Sequence, residues 1–332
     1  MRSELINPLT DERWAAFVDR AEAASAFHTV PWLELLRRTY GYPVTACCLV
    51  DESGTIRAGS PLARTRPRRL VSLPFSDHCA PLGDSAALAA ALDDLRRRRR
   101  ARLEIRAELP GAAPAASFHL HEIPLDGGYE EVVKRFKRRS QLLRGARRAE
   151  REGLVVERRS DAAALAEFYA LHVETRRHQG VPTQPRRFIL GFEELFARGL
   201  GHVLLVRDGD RAIAAAVFLA FNGTVIYKYG ASDRAALGKR PNNLLFLEAI
   251  RRACEDGMRT LDLGRTDSGH ETLRDFKLSW GAEERVLAYH ELSERAPRAG
   301  GTGLAERAAP LIRRSPPVVG RLVGEALYKY AG

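Results

Sequence analysis

Apolar and polar positions alternate in two stretches of the same form. Residues 46–56, ACCLVDESGTI, and residues 203–213, VLLVRDGDRAI, each read as a strand, a tight acidic or glycine-bearing turn and a second strand. Val203 stands 157 residues after Ala46. At the same offset RLEIRAE (102–108) falls on RTLDLGR (259–265), and at 158 the helical pattern 85–98 falls on 243–256. A short amphipathic helix precedes each hairpin, PWLELLRR at 31–38 and FILGFEELF at 188–196. The order and spacing predict two mixed α/β domains of one type in tandem, although the two copies share little identity.

The second copy is the fuller. Strands are predicted over 154–159, 202–208, 212–221, 224–231, 259–264 and 286–292. Helices are predicted over Asp161–Gln179, capped by Asp161 and stopped by Gly180, and over Asn242–Asp256, stopped by Gly257. A single basic helix, Tyr129–Glu152, joins the copies and carries nine basic residues between Lys134 and Arg151. The predicted divisions are 1–128, the connector 129–153, 154–293, and a tail helix within 303–332 that follows a Gly/Pro/Ser linker. In that tail Val318, Val319, Leu322, Val323, Ala326, Leu327 and Tyr330 recur at helical spacing. Such a helix packs on the body of the protein or lies on a membrane surface.

Composition narrows the function. With 332 residues, 45% apolar and 29% charged, the chain is of soluble globular type and long enough for two cores. The longest apolar run, Ala212–Phe221, is half of what a spanning helix needs, and MRSELINPLTDER has no leader pattern. The four cysteines show no paired spacing, which points to reduced thiols, a cytoplasmic setting and no zinc. The nine histidines are scattered, so no metal site is expected, and hydrolase, kinase and dinucleotide signatures are missing. A net charge of +11 favours anionic partners. Only six of the 53 basic residues are lysine, a bias that genome composition alone also produces.

The informative stretch is 224–281. The strand TVIYKYGAS runs into the polar loop DRAALGKRP, and a helix begins at Asn242. A strand–loop–helix of this kind offers backbone N–H groups to an anion, with Arg234, Lys239, Arg240 and Asn242 as donor- or phosphate-binding residues; a plain solvated turn reads the same way. The order resembles the acyl-CoA-binding core of GNAT N-acetyltransferases, although Arg234 is four residues before Gly238 and Arg240 replaces the last small residue of their loop.

YKYGAS, NNLLFLEAI, LDLGR and FKLSWGAE together resemble the Fem family of aminoacyl-tRNA-dependent peptidyltransferases and their acetyltransferase-like relatives, and SLPFSDHCAPL (72–82) resembles a Pro-Phe motif among those relatives. The resemblance covers essentially the whole chain. It implies two GNAT-like domains, a tail returning to the first of them, and transfer of an aminoacyl or acyl group to an amine of a peptidoglycan or polysaccharide precursor or a related metabolite. The implied co-substrate is aminoacyl-tRNA or acetyl-CoA, with no bound cofactor, and the implied place is the cytoplasm or the inner face of the membrane. Lys277 is implied as oxyanion stabiliser and Phe276 as lining the channel for the acceptor end. Tyr227, Tyr229, Asp77 and His78 are candidates for the acceptor cleft. For a base the residues decide nothing: Asp262, Asp267, His270, Glu271 and Asp275 are alternatives, as are Asp77 and His78 of the first half and a substrate-assisted route. A non-catalytic RNA- or membrane-binding relative would use the basic face alone.

Overall fold

The structure, a computed structural model, describes residues 1–294, 309, 310 and 312–330. The chain divides into two compact units: 1–119 with 286–300 and 329–332, and 120–285 with 301–328.

In the first unit β1 (Arg2–Ile6), β2 (Val44–Val50), β3 (Ile56–Arg66) and β4 (Arg69–Val71) pair antiparallel in that order. β5 (Arg102–Ile105) then pairs parallel to β4. The crossover between them is α3 (Ser85–Arg99), capped by Asp84, whose carboxylate accepts the Ala87 N–H. α1 (Glu12–Arg20) and α2 (Val30–Tyr40) precede the β2–β3 hairpin. The core forms where α3 lays Leu88, Leu92 and Leu95 on Cys47, Leu62, Leu103 and Ile105.

The second unit repeats this order. β7 (Val155–Arg159), β8 (Gly201–Asp208), β9 (Arg211–Phe221) and β10 (Thr224–Ser232) pair antiparallel, and β11 (Thr260–Thr266) pairs parallel to β10. The crossover is α9 (Pro241–Glu255). α6 (Ala162–Gln179), α7 (Arg186–Leu190) and α8 (Phe192–Phe196) precede the β8–β9 hairpin. Both 157-residue correspondences and the helical one thus fall on like elements of a tandem mixed α/β fold. The expected helix over 188–196 is interrupted at Gly191.

Each copy is completed by a strand from elsewhere in the chain. β6 (Ala113–Pro124) follows β5 in sequence, and its residues 120–124 lie in the second unit beside β11. β12 (Glu283–Leu292) follows β11; its residues 286–292 lie in the first unit, where His290–Leu292 pair antiparallel with β5. The divisions at 128 and 293 are corrected accordingly.

The basic connector is also two helices rather than one, α4 (Gly128–Lys134) and α5 (Arg139–Arg151), both in the second unit. Tertiary contacts break it. Phe136 is buried edge-on to Trp280 at 5.2 Å, the Lys137 N–H donates to Ser279 O, and the Arg135 guanidinium donates to Pro124 O and Asp126. These outweigh the helical preference of a lysine- and arginine-rich run.

The described part of the tail forms α11 (Pro317–Leu327), which packs on α6 of the second unit, not on the first. Gly324 makes the fit, since a Cβ there would stand 1.7 Å from Thr183 O. Only at Lys329 does the tail join the first unit, where the Tyr42 hydroxyl donates to Lys329 O. Most of the expected linker, 295–303, lies outside the described residues.

Candidate functional site

β10 and β11 are in register only over Thr224–Ile226 and Thr260–Asp262. Beyond Ile226, β10 stays with β9 and leaves β11. A β-bulge at Lys228 sits just past this parting, between the pairs Tyr227↔Phe218 and Tyr229↔Val217. Residues two apart in a strand normally share a face, and a bulge breaks that rule. Tyr227 accordingly packs toward α9, on Phe218 and Phe246, while Tyr229 faces His172 of α6 and Phe192. The two tyrosines therefore do not line one cleft as expected. Burial pushes the Tyr227 phenol up to about 12.

After Ser232 the chain makes a 3-10 turn, Arg234–Lys239, capped by the Asp233 carboxylate on the Ala235 N–H. Arg240 then takes a left-handed conformation, φ 62°, as the residue that opens α9, with Pro241 in the first helical turn. A non-glycine residue in this region costs about 1–2 kcal/mol, and such strain gathers at functional sites.

α5 crosses the start of α9. Gly145 permits the approach, because a Cβ there would lie 2.7 Å from Asn243 Nδ2. Asn243 itself donates to Leu142 O. Between α5, the start of α9 and α10 (Glu271–Ser279) lies a cavity of about 580 Å³. Arg138, Arg144, Arg148 and Arg240 line it, with Asn243, Glu271, Asp275 and Phe276. Arg148 is held by Glu152 at 2.8 Å. Arg138, Arg144 and Arg240 are exposed and have no carboxylate partner among the described residues. The positive end of the α9 dipole points the same way. The cleft therefore gathers three exposed guanidinium groups at the positive end of the α9 dipole, with Glu271 and Asp275 on the α10 wall.

Lys277 lies next in α10, 4% exposed. Its ammonium donates to Gly264 O at 2.7 Å and Arg265 O at 3.0 Å, on β11 beyond the parting. Asp262 is fully buried, and its carboxylate accepts the Gly264 N–H at 2.6 Å. Phe276 meets Phe246 edge-on at 5.1 Å.

The other sequence candidates fall elsewhere. Lys239 pairs with Asp208. Arg234 lines a separate cavity of about 610 Å³ with Glu167, Glu174 and Asp233. Asn242 contacts Ser232 Oγ at 3.5 Å. Asp77 and His78 belong to the first unit, where the Tyr289 hydroxyl donates to Asp77 O and the His78 ring stands edge-on to Phe27. Asn243, and Gln141 of α5 which also lines the arginine cleft, are not among the residues that the sequence points to. The second asparagine of NNLLF is the available signal, visible only once α5 is placed across it. The described residues hold no group of three or more histidine, cysteine or acidic side chains that could bind a metal. No helix among them is long and apolar enough to cross a membrane.

Residues 137–278 match the acetyltransferase (GNAT) domain family. That segment contains α5, α9, β10, β11 and Lys277. The fold is similar to FemX, with a TM-score of 0.66 at 16% identity over 88% of this chain and 97% of that one. It is also similar to L-PGS from Bacillus licheniformis, with a TM-score of 0.59 at 14% identity over 93% and 99%. A conserved protein of unknown function from Bacteroides thetaiotaomicron VPI-5482 follows, with a TM-score of 0.57 at 13% identity over 85% and 96%. No curated protein sequence matches. The second unit thus carries a match to the acetyltransferase (GNAT) domain family, and the chain as a whole shares its fold with FemX and L-PGS.

Proposed function

We propose that the second unit holds a donor with a phosphate-bearing leaving group in the arginine cleft and transfers its aminoacyl group to an amine of a cell-envelope precursor. The observation that carries this is the convergence of Arg138, Arg144, Arg148 and Arg240 on the start of α9, with Phe276 beside them. The acceptor end of an aminoacyl-tRNA suits such a cleft: consecutive phosphates meet the guanidinium groups, and a terminal base meets an aromatic ring.

In the reaction the amine attacks the ester carbonyl. A C–N bond forms and the carbonyl oxygen becomes an oxyanion. Collapse breaks the C–O bond to the tRNA, and the leaving oxygen takes up the proton that the amine loses. Lys277 is the oxyanion stabiliser in this reading. Its two carbonyl contacts hold the ammonium in place, as preorganised stabilisation requires. No base is assigned; Glu271 and Asp275 are the carboxylates on the cleft wall.

A second reading, acyl-CoA as donor, is favoured by one observation. β10 parts from β11 after Ile226, and such a splayed parallel pair, followed by a helix N-terminus, suits a thioester on a long arm with a pyrophosphate at its end. Incubation of the protein with an amine-bearing peptidoglycan precursor, and with either charged tRNA or acetyl-CoA, separates the two by mass spectrometry. An aminoacyl mass gain with charged tRNA is the expected result. An acetyl gain with acetyl-CoA alone would replace tRNA by CoA, and no gain with either donor would overturn transfer to this acceptor.

A further inference from the structure

The tail helix α11 presents an outer face that the acyl-transfer site does not use. Gly320 and Gly324 are buried on its inner side. On the opposite side Val318 and Leu322 stand one helical turn apart, 46% and 60% exposed, and Ala326 continues the stripe another turn on. Leu327, 56% exposed, ends the helix. Single exposed leucines are ordinary on a protein surface; an apolar stripe on an eleven-residue helix is a patch.

The charges around it are of one sign. Arg321 is exposed on the same helix, and Arg313 and Arg314 are exposed just before it. Arg313 is tied to the end of α6 by its contact with Gln179 O. Arg186 and Arg187 are exposed at the start of α7, which α11 touches: the Arg186 N–H donates to a carboxylate oxygen of Glu325 at 2.8 Å. That bond also occupies the one acid of α11, which is half-buried. Five arginines therefore surround an apolar stripe.

We propose that this face of α11 docks the protein on an anionic lipid surface, with Val318 and Leu322 entering the headgroup region and Arg186, Arg187, Arg313, Arg314 and Arg321 meeting lipid phosphates. An in-plane helix binds by this pairing of apolar insertion with basic flanks. A protein partner of ordinary surface composition gives no reason for five cations and a single, internally bonded acid. The docking surface is separate from the arginine cleft and stands whichever donor the second unit uses.

The test is co-sedimentation of the full chain with vesicles of phosphatidylcholine alone or with 30% phosphatidylglycerol, in ~50 mM salt. Strong binding to the anionic vesicles and weak binding to the neutral ones is expected. The charge-neutral double variant Val318→Gln, Leu322→Gln should lower that binding tenfold or more, with an unchanged melting temperature because both sites are on the surface. Arg314→Gln and Arg321→Gln should each lower it roughly fivefold. Failure to sediment with anionic vesicles would overturn the proposal. So would wild-type binding by the double variant, since the general basic surface would then suffice. Light scattering on the same samples covers the remaining occupant: a dimer that the double variant dissolves, without vesicle binding, would make α11 a self-association surface instead.

Discussion

The two units share a strand order and differ at one corner. In the first unit β4 ends at Val71, and the chain lies down along the extension of β5. The Ser72 N–H donates to Glu104 O, and the Ser72 hydroxyl accepts the Arg106 N–H. The Arg106 guanidinium then binds Ser76 O, and the Cys79 N–H donates to Arg106 O. Leu73 and Phe75 are both left-handed, at φ 67° and 62°, a strain of about 1–2 kcal/mol each. Leu73, Cys79 and Leu82 are fully buried. The corner is filled by the protein's own chain. In the second unit no such segment follows the equivalent strand, β10, which continues with β9 alone; a 3-10 turn carries the chain to α9, and α5 and α10 wall the arginine cleft at the start of that helix. One fold thus serves as a packed copy and as a copy with room for a ligand.

This difference ranks the expected effects of substitution. The largest is at Lys277. Lys277→Met should lower turnover at least 100-fold, the usual loss for one oxyanion donor being ~10²–10³. It should also cost stability, since Gly264 O and Arg265 O lose a buried donor; about 1–3 kcal/mol is typical. A first-unit control is His28→Gln. The His28 ring is buried, accepting from the Ser25 N–H and donating to Ala80 O. This change should lower the denaturation midpoint and leave turnover per folded molecule intact. A large loss of turnover with His28→Gln and none with Lys277→Met would reverse the assignment of the two copies.

Next is the cleft. Replacing Arg138, Arg144 and Arg240 together by Gln should weaken donor binding tenfold or more. The slope of log affinity against log salt should fall by roughly 0.7–0.9 for each phosphate that is no longer neutralised. An unchanged slope would show that the donor's phosphates lie elsewhere.

A stability effect follows from buried histidines in both units. Burial lowers His28 and His172 to about 4 and His202 to about 3 from an ordinary 6.5. Each is neutral in the folded chain. As pH falls below about 6.5 the unfolded state takes up protons that the folded state cannot, so stability is full above that pH and is lost toward pH 4. The slope is about 1.4 kcal/mol per pH unit for each proton. Urea titrations at pH 7 and pH 5 should show the loss, and His202→Leu should shrink it.

The smallest effect is Arg240→Gly. Relief of the left-handed strain should raise stability by about 1 kcal/mol, while donor affinity falls. A destabilised variant would mean that the arginine side chain, not the backbone, holds the start of α9.

The hairpins and both crossover helices were legible because each depends on local periodicity and turn residues. Asp161 and Gly180 mark the ends of α6 in sequence and in structure. Less was legible where distant residues decide. Nothing local in RFKRRS announces that Phe136 must meet Trp280 and break the basic helix. Tyr227 and Tyr229 look alike by alternation, and only the bulge at Lys228 separates them. The strand FHLHEIP in β6 has a clear period of two yet is absent from the predicted strands, and its pairing in the other unit has no local signature. Arg240 was visible as a cation of the 234–240 loop; its meeting with Arg138 and Arg144 required α5 to fold across α9 at Gly145.

In the proposed reaction the donor lies in the arginine cleft of the second unit and not at the filled corner of the first. Hydrogen–deuterium exchange of the full chain, with and without a non-hydrolysable aminoacyl-tRNA acceptor-end analogue, measures this directly. Exchange should slow over 138–148 and 240–246 and stay unchanged over 72–82. Protection confined to 72–82, or none in α5 and α9 at saturating analogue, would contradict that placement.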